Sequence, residues 1–216
     1  MAVVEIDLVD PSASVLRDVV DRIRSSGDTA RWWVHGTRPS DEALAEGAGL
    51  VPARRLFQMR RSLPLEDTTD LPTRPFRPGA DDQAWLTVNN RAFDWHPDQG
   101  GWTPEVLTGR MAEPWFDPEG FLLHEVDGRL AGFCWTKVHP PTDPDPALGE
   151  IYVIAVDPDF VGRGLGRDLT TAGLAHLADR GLRVGMLYVE SDNAPAVALY
   201  ESMGFSVHRV DTAFEG

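Results

Sequence analysis

The run Glu150-Ile151-Tyr152-Val153-Ile154-Ala155-Val156-Asp157-Pro158 is followed, two residues on, by Val161-Gly162-Arg163-Gly164-Leu165-Gly166. The first stretch is β-rich and closes on Asp-Pro, a turn signal. After the second, Leu165, Leu169, Ala172 and Ala175 recur at helical spacing. The glycines therefore lie between a strand and a helix. There they let the backbone approach a ligand and leave amide groups free at a helix start. Those amides and the helix dipole form an anion site suited to a pyrophosphate. On the loop alone, the alternative is a tight strand–helix turn. No Lys-Ser/Thr follows Gly166, so this is not a nucleotide P-loop. The spacing, and an antiparallel hairpin upstream, also exclude the dinucleotide fingerprint.

Working outward, residues 184–189 read as a strand and 194–204 as an alanine-rich helix ending at Gly204. Another strand follows at 206–211. Upstream, 74–77 reads as a strand and 81–93 and 104–112 as helices. A hairpin, 121–126 and 130–138, turns at Asp127-Gly128. The same strand–helix–strand–helix–strand order occurs earlier. It runs through Val3 to Pro11, a helix with Val15, Val19 and Ile23, a strand at 30–34, a helix at 41–49 and a strand at 54–59. Between the copies, 64–78 holds Pro64, Pro72, Pro75 and Pro78 and reads as a linker region. The expected division is a partial domain at 1–63, a linker at 64–72 and a complete domain at 73–216. The first copy lacks front strands. Its sheet edge is expected either to be covered by a partner or to continue in sequence upstream.

The 216 residues suffice for one domain or two small ones. A formal charge of −14 argues against nucleic-acid backbones and anionic membrane surfaces. Nine basic and twelve acidic residues lie up to Asp70, against eleven and twenty-two beyond it. The acidity is thus concentrated in the complete copy. Of the twenty basic residues, nineteen are arginine; Lys137 is the single lysine. Cys134 is the single cysteine, which excludes an internal disulfide and a cysteine-based zinc site. It alternates with Phe133 and Trp135 on a strand and is expected to be buried rather than nucleophilic. His35, His96, His124, His139, His176 and His208 show no metal spacing, so no metal is expected. With no leader pattern and no long apolar run, a cytoplasmic protein is expected.

The order strand, Asp-Pro, Gly-Arg-Gly-x-Gly, helix, strand, Glu190-Ser191-Asp192-Asn193, helix with Tyr200, then Gly204-Phe205, resembles the GNAT acetyltransferase superfamily. Asp94-Trp95-His96-Pro97-Asp98-Gln99-Gly100-Gly101-Trp102-Thr103 narrows the resemblance. So do Glu113-Pro114-Trp115-Phe116-Asp117-Pro118 and Trp135-Thr136-Lys137-Val138-His139. With Gly149-Glu150-Ile151-Tyr152-Val153 and Leu187-Tyr188-Val189-Glu190, they are similar to the mycothiol synthase family, built of two tandem GNAT domains. The implied fold class is α/β (α+β): a GNAT acyltransferase fold with a mixed central sheet flanked by helices, preceded by a partial GNAT-like half domain.

The resemblance implies acetyl transfer from acetyl-CoA to the cysteine amine of cysteinyl-glucosaminyl-inositol. The alternatives are a GNAT enzyme for another small amine, or a non-catalytic acyl-CoA-binding protein. By resemblance, Glu150 is the base and Tyr200 protonates the departing thiolate. Acetyl-CoA contacts are expected from Ile154, Ala155 and Val156. The loop Val161-Gly162-Arg163-Gly164-Leu165-Gly166-Arg167 and the segment Asn193-Ala194-Pro195-Ala196-Val197-Ala198 are expected to add the rest. Substrate contacts fall to Asp98, Lys137, Glu150 and Tyr188. The family more often carries Glu at the position of Asp98, and many GNAT loops open with Gln or Arg where this chain has Val161. The earlier copy reads Pro11-Ser12-Ala13-Ser14-Val15-Leu16 in place of the glycine loop, and Ala45 stands opposite Tyr200. No catalysis is expected there. A monomer is expected, with dimerisation through the partial domain's exposed edge as the alternative.

Overall fold

The Asp127-Gly128 pair adopts positive φ at both positions, 51° and 74°, as a two-residue hairpin turn requires. It joins two of the nine strands among the described residues. The computed structural model describes residues 1–96 and 99–216. In chain order its elements are β1 (Val3–Ile6), α1 (Ala13–Ser25), β2 (Thr29–Val34), α2 (Pro39–Gly47) and β3 (Val51–Ser62). There follow β4 (Arg74–Pro75), α3 (Asp82–Ala92), α4 (Pro104–Met111), β5 (Phe121–Val126), β6 (Arg129–His139) and β7 (Leu148–Val156). The last are α5 (Leu165–Asp179), β8 (Val184–Glu190), α6 (Ala194–Ser202) and β9 (Ser206–Glu215). The chain divides into two compact units, Met1–Met59 with Tyr188–Gly216, and Arg60–Leu187.

In the first unit β1 pairs with β2 in parallel and β2 with β9 antiparallel, from Arg31↔Glu215 to Val34↔Thr212. The C-terminal strand is thus a neighbour of β2, a pairing no local pattern announces. Leu16 and Val20, one turn apart on α1, bury against Ala30, Trp32, Ala45, Leu50 and Phe214. Helix α1 begins at Ser12, whose hydroxyl accepts from the Val15 amide at 3.4 Å.

In the second unit the order β8-β7-β6-β5-β4 is mixed: β7 and β8 run parallel, the rest antiparallel. Alternation along β6 sorts its side chains. Phe133 and Trp135 join a core with Trp85, Leu86 and Val88 of α3. Cys134 and Thr136 turn instead toward Gly173 of α5. Any Cβ at Gly173 would run into the Cys134 sulfur, which is why a glycine stands there. Trp85 meets Trp102, Phe121, Phe133 and Trp135 edge-on, with ring centroids 5.2–5.8 Å apart. Phe121 stacks between Phe76 and Trp135, 4.3 Å from each. Trp85, Trp102 and Trp135 are therefore core residues, whereas Trp95 is exposed.

Candidate active site

A bulge in β7 shapes the centre of the second unit. Trp135 pairs with Val153 and Thr136 with Ile151, so Tyr152 is the extra residue. Val153 lies in the core with Trp85, while Ile151 reaches the Gly173 side. The bulge brings Tyr152 round to the Trp135 face, where its ring lies 5.4 Å from Trp135 and 4.9 Å from Trp115. Glu150 faces the same way, directly opposite Lys137.

Lys137 places its ammonium 4.6 Å from the Trp115 ring centre and 5.3 Å from that of Tyr152. Two ring faces so close hold a cation by their quadrupoles. Glu150 is buried, and its Oε2 lies 2.7 Å from Nε2 of His139. Burial raises the Tyr152 phenol above its usual range; the charges of Glu150 and Glu113 push the same way, and Arg110 opposes them. His139, Trp115 and Tyr152 carried no assigned role in the sequence. All three lie within the quoted motifs, and only the fold shows what they touch. Cys134 is fully buried and burial pushes its thiol pKa up, as expected of an inert cysteine.

The ladder between β7 and β8 runs from Gly149↔Gly185 to Ile151↔Leu187. Beyond it, among the described residues of this unit, Ile154, Ala155 and Val156 pair with β6 and have no strand on the other side. Their outward amides and carbonyls can take an extended ligand in the manner of an added strand. The chain then enters the glycine loop. Asp157, buried, caps the turn by accepting from the Asp159 amide at 2.9 Å, and Arg91 bridges to Asp157 at 2.8 Å and Asp159 at 3.0 Å. Arg129 also binds Asp159, at 2.7 Å; with Arg91 it holds that carboxyl below the usual carboxylate range. Gly162 and Gly164 have φ of 83° and 81°, and a Cβ at either would meet no atom within 4 Å. No side chain caps α5 at Gly164. Val161, Gly162, Arg163 and Gly164 are exposed, Leu165 is buried, and Gly166 and Arg167 continue the first turn. The open cradle and uncapped first turn suit a phosphate group.

The remaining sequence-assigned residues that the structure describes belong to the first unit. Asn193 caps α6, its Oδ1 accepting from the Ala196 amide at 3.3 Å, with Ala194, Pro195, Val197 and Ala198 in the first two turns. Tyr200 is buried in that helix, 5.8 Å edge-on from Phe205. The Tyr188 hydroxyl accepts from Gln58 Nε2 at 2.7 Å and from Arg209 at 2.8 Å. Arg209 is paired in turn with buried Asp211 at 2.9 Å. Ala45, opposite Tyr200 in the repeat, is fully buried. Asp98 lies outside the described residues. Among those described, no three His, Cys, Asp or Glu side chains are grouped to hold a metal, and no helix is long and apolar enough to cross a membrane.

A family model described as Acetyltransferase (GNAT) family matches residues 83–205. A curated relative from Thermomonospora curvata, named mycothiol acetyltransferase, is 50% identical over 94% of this chain and 67% of its own. Its namesake from Acidimicrobium ferrooxidans is 49% identical over 94% of this chain and 68% of its own. The chain belongs to the GNAT acetyltransferase family, among the mycothiol acetyltransferases. It spans about two thirds of the length of these relatives. The GNAT fold is matched in a solved structure, a GCN5-related N-acetyltransferase from Sphaerobacter thermophilus. That match has a TM-score of 0.71 at 23% identity, covering 88% of this chain and 59% of the other.

Proposed function

We propose that this chain transfers the acetyl group of acetyl-CoA to the cysteine amine of cysteinyl-glucosaminyl-inositol, giving mycothiol. One observation carries the reading: buried Glu150 lies on the same strand that then offers an open edge at 154–156 and feeds an uncapped helix start. The name of the half-identical relatives supports the substrate. Residues 73–216 form the catalytic GNAT domain, 1–63 a non-catalytic partial one and 64–72 the linker. The protein is taken as a cytoplasmic monomer.

Acetyl-CoA supplies an activated thioester when bound. The amides of 161–167 would hold its pyrophosphate, and the edge at 154–156 its extended arm, with Asn193–Ala198 contributing from α6. A free α-amine has a pKa of about 7.7–8.0, so a modest base suffices to free its lone pair near neutrality. Glu150 takes that proton. Lys137, a three-fold donor, binds hydroxyl oxygens of the sugar–inositol portion. Tyr188 and Asp98 add polar contacts, and Tyr200 returns a proton to the leaving sulfur. The test incubates the purified chain with acetyl-CoA and the cysteinyl pseudo-disaccharide and follows free thiol release and product mass. Turnover is expected. No turnover on this amine, with turnover on another, would replace the substrate; tight acetyl-CoA binding with no acetylation would replace the activity.

A further inference from the structure

We infer that His139 is the positioning residue of Glu150, fixing which carboxylate oxygen meets the substrate amine. The inference rests on the reading of Glu150 as the base. His139 and Glu150 lie on adjacent strands, two residues along β6 from the Lys137↔Glu150 pair. Nε2 and Oε2 are 2.7 Å apart, the length of a charge-assisted hydrogen bond. A carboxylate only accepts, so the ring nitrogen carries the hydrogen. The Glu150 side chain is 9% exposed and that of His139 32%. The imidazole thus stands between a buried carboxylate and solvent.

The consequence is geometric. A glutamate without a partner can rotate its carboxylate freely, and each rotamer aims a different lone pair at the amine. With Oε2 engaged by His139, the other oxygen is left to the reaction, and its direction is set by the strand. Lys137, on the same face, has its ammonium over the Trp115 and Tyr152 rings. The carboxylate's orientation is therefore assigned to His139 and substrate binding to Lys137. His139 touches no reacting atom in this scheme; it acts through Glu150 alone.

Steady-state kinetics on the full chain test this with His139→Ala, His139→Gln, Glu150→Gln and the double variant Glu150→Gln/His139→Ala. A lost hydrogen bond to a charged group predicts a fall in kcat of about ten- to a hundredfold for His139→Ala, with the KM for acetyl-CoA unchanged. His139→Gln, which keeps an N–H donor, recovers most of the loss. In the Glu150→Gln background, removing His139 costs nothing further, because the two act as one unit. The melting temperature of each variant separates folding from catalysis. Three results overturn the inference alone: undiminished kcat in His139→Ala while Glu150→Gln is strongly impaired, no recovery in His139→Gln, or a loss in the double variant beyond that of Glu150→Gln. Retained turnover in Glu150→Gln instead removes the reading of Glu150 itself, and the inference with it.

Discussion

Lys137 stands directly opposite Glu150 on the β6–β7 ladder, with its ammonium over the rings of Trp115 and Tyr152. The single lysine of the sequence is thus anchored by aromatic faces beside the buried carboxylate. Lys137→Met keeps an unbranched stem to pack on the rings and removes three donors. We expect the KM for the pseudo-disaccharide to rise about tenfold or more, from the loss of charged hydrogen bonds, with the KM for acetyl-CoA unmoved. An unchanged KM for the sugar substrate would show that Lys137 binds nothing there.

Tyr200 offers a cleaner substitution still. Its ring is buried edge-on to Phe205, and Tyr200→Phe preserves that packing while deleting one hydroxyl. Loss of a general acid predicts a kcat about a hundredfold lower, with acetyl-CoA affinity measured by calorimetry unaltered. Full activity in the phenylalanine variant would assign Tyr200 to packing.

Gly162 and Gly79 make a matched pair. Both have positive φ, 83° and 80°, and at both a β-carbon would find open space, with no atom within 4 Å. Alanine at either incurs about the same backbone penalty, on the order of 1–2 kcal/mol, seen as similar shifts in melting temperature. Only Gly162→Ala should raise the KM for acetyl-CoA. Equal kinetic effects from both would detach the loop from cofactor binding.

Asp81 is expected to contribute to stability against acid. It is buried, and both Arg74, at 2.7 Å, and Arg77, at 2.9 Å, grip its carboxylate. Hydrogen bonding to Arg77, then to Arg74, holds its pKa well below the usual range. The unfolded chain protonates this group first as pH falls. Its stabilisation is therefore complete above the ordinary carboxylate pKa of about 3.9 and lost as pH drops toward the folded value. Asp81→Asn should lower the melting temperature at pH 7, and the gap from the parent should narrow below about pH 4. A gap constant with pH would contradict the assignment.

Much of this was legible beforehand. Asp127-Gly128 announced its hairpin, and the glycines at 162 and 164 announced a loop between a strand and a helix. What stayed hidden has a common cause: it depends on which residues of a neighbouring strand each one is set against. The extra residue at Tyr152 carries no glycine or proline, because the bulge exists only relative to β6. His139 was visible in its motif, but its bond to Glu150 is a matter of register. The strand at 206–211 was expected, yet the place of β9 beside β2 joins residues more than 170 positions apart.

The segments 11–16 and 161–166, which we read as counterparts in the repeat, differ at the helix start that follows them. At the start of α1 the Ser12 hydroxyl occupies an amide from within the chain. At Gly164 no side chain does so. A side-chain cap takes up one of the amides that a helix start leaves unpaired. An incoming anion at α5 therefore competes with no side chain of the protein, whereas at α1 it would have to share the first turn with Ser12.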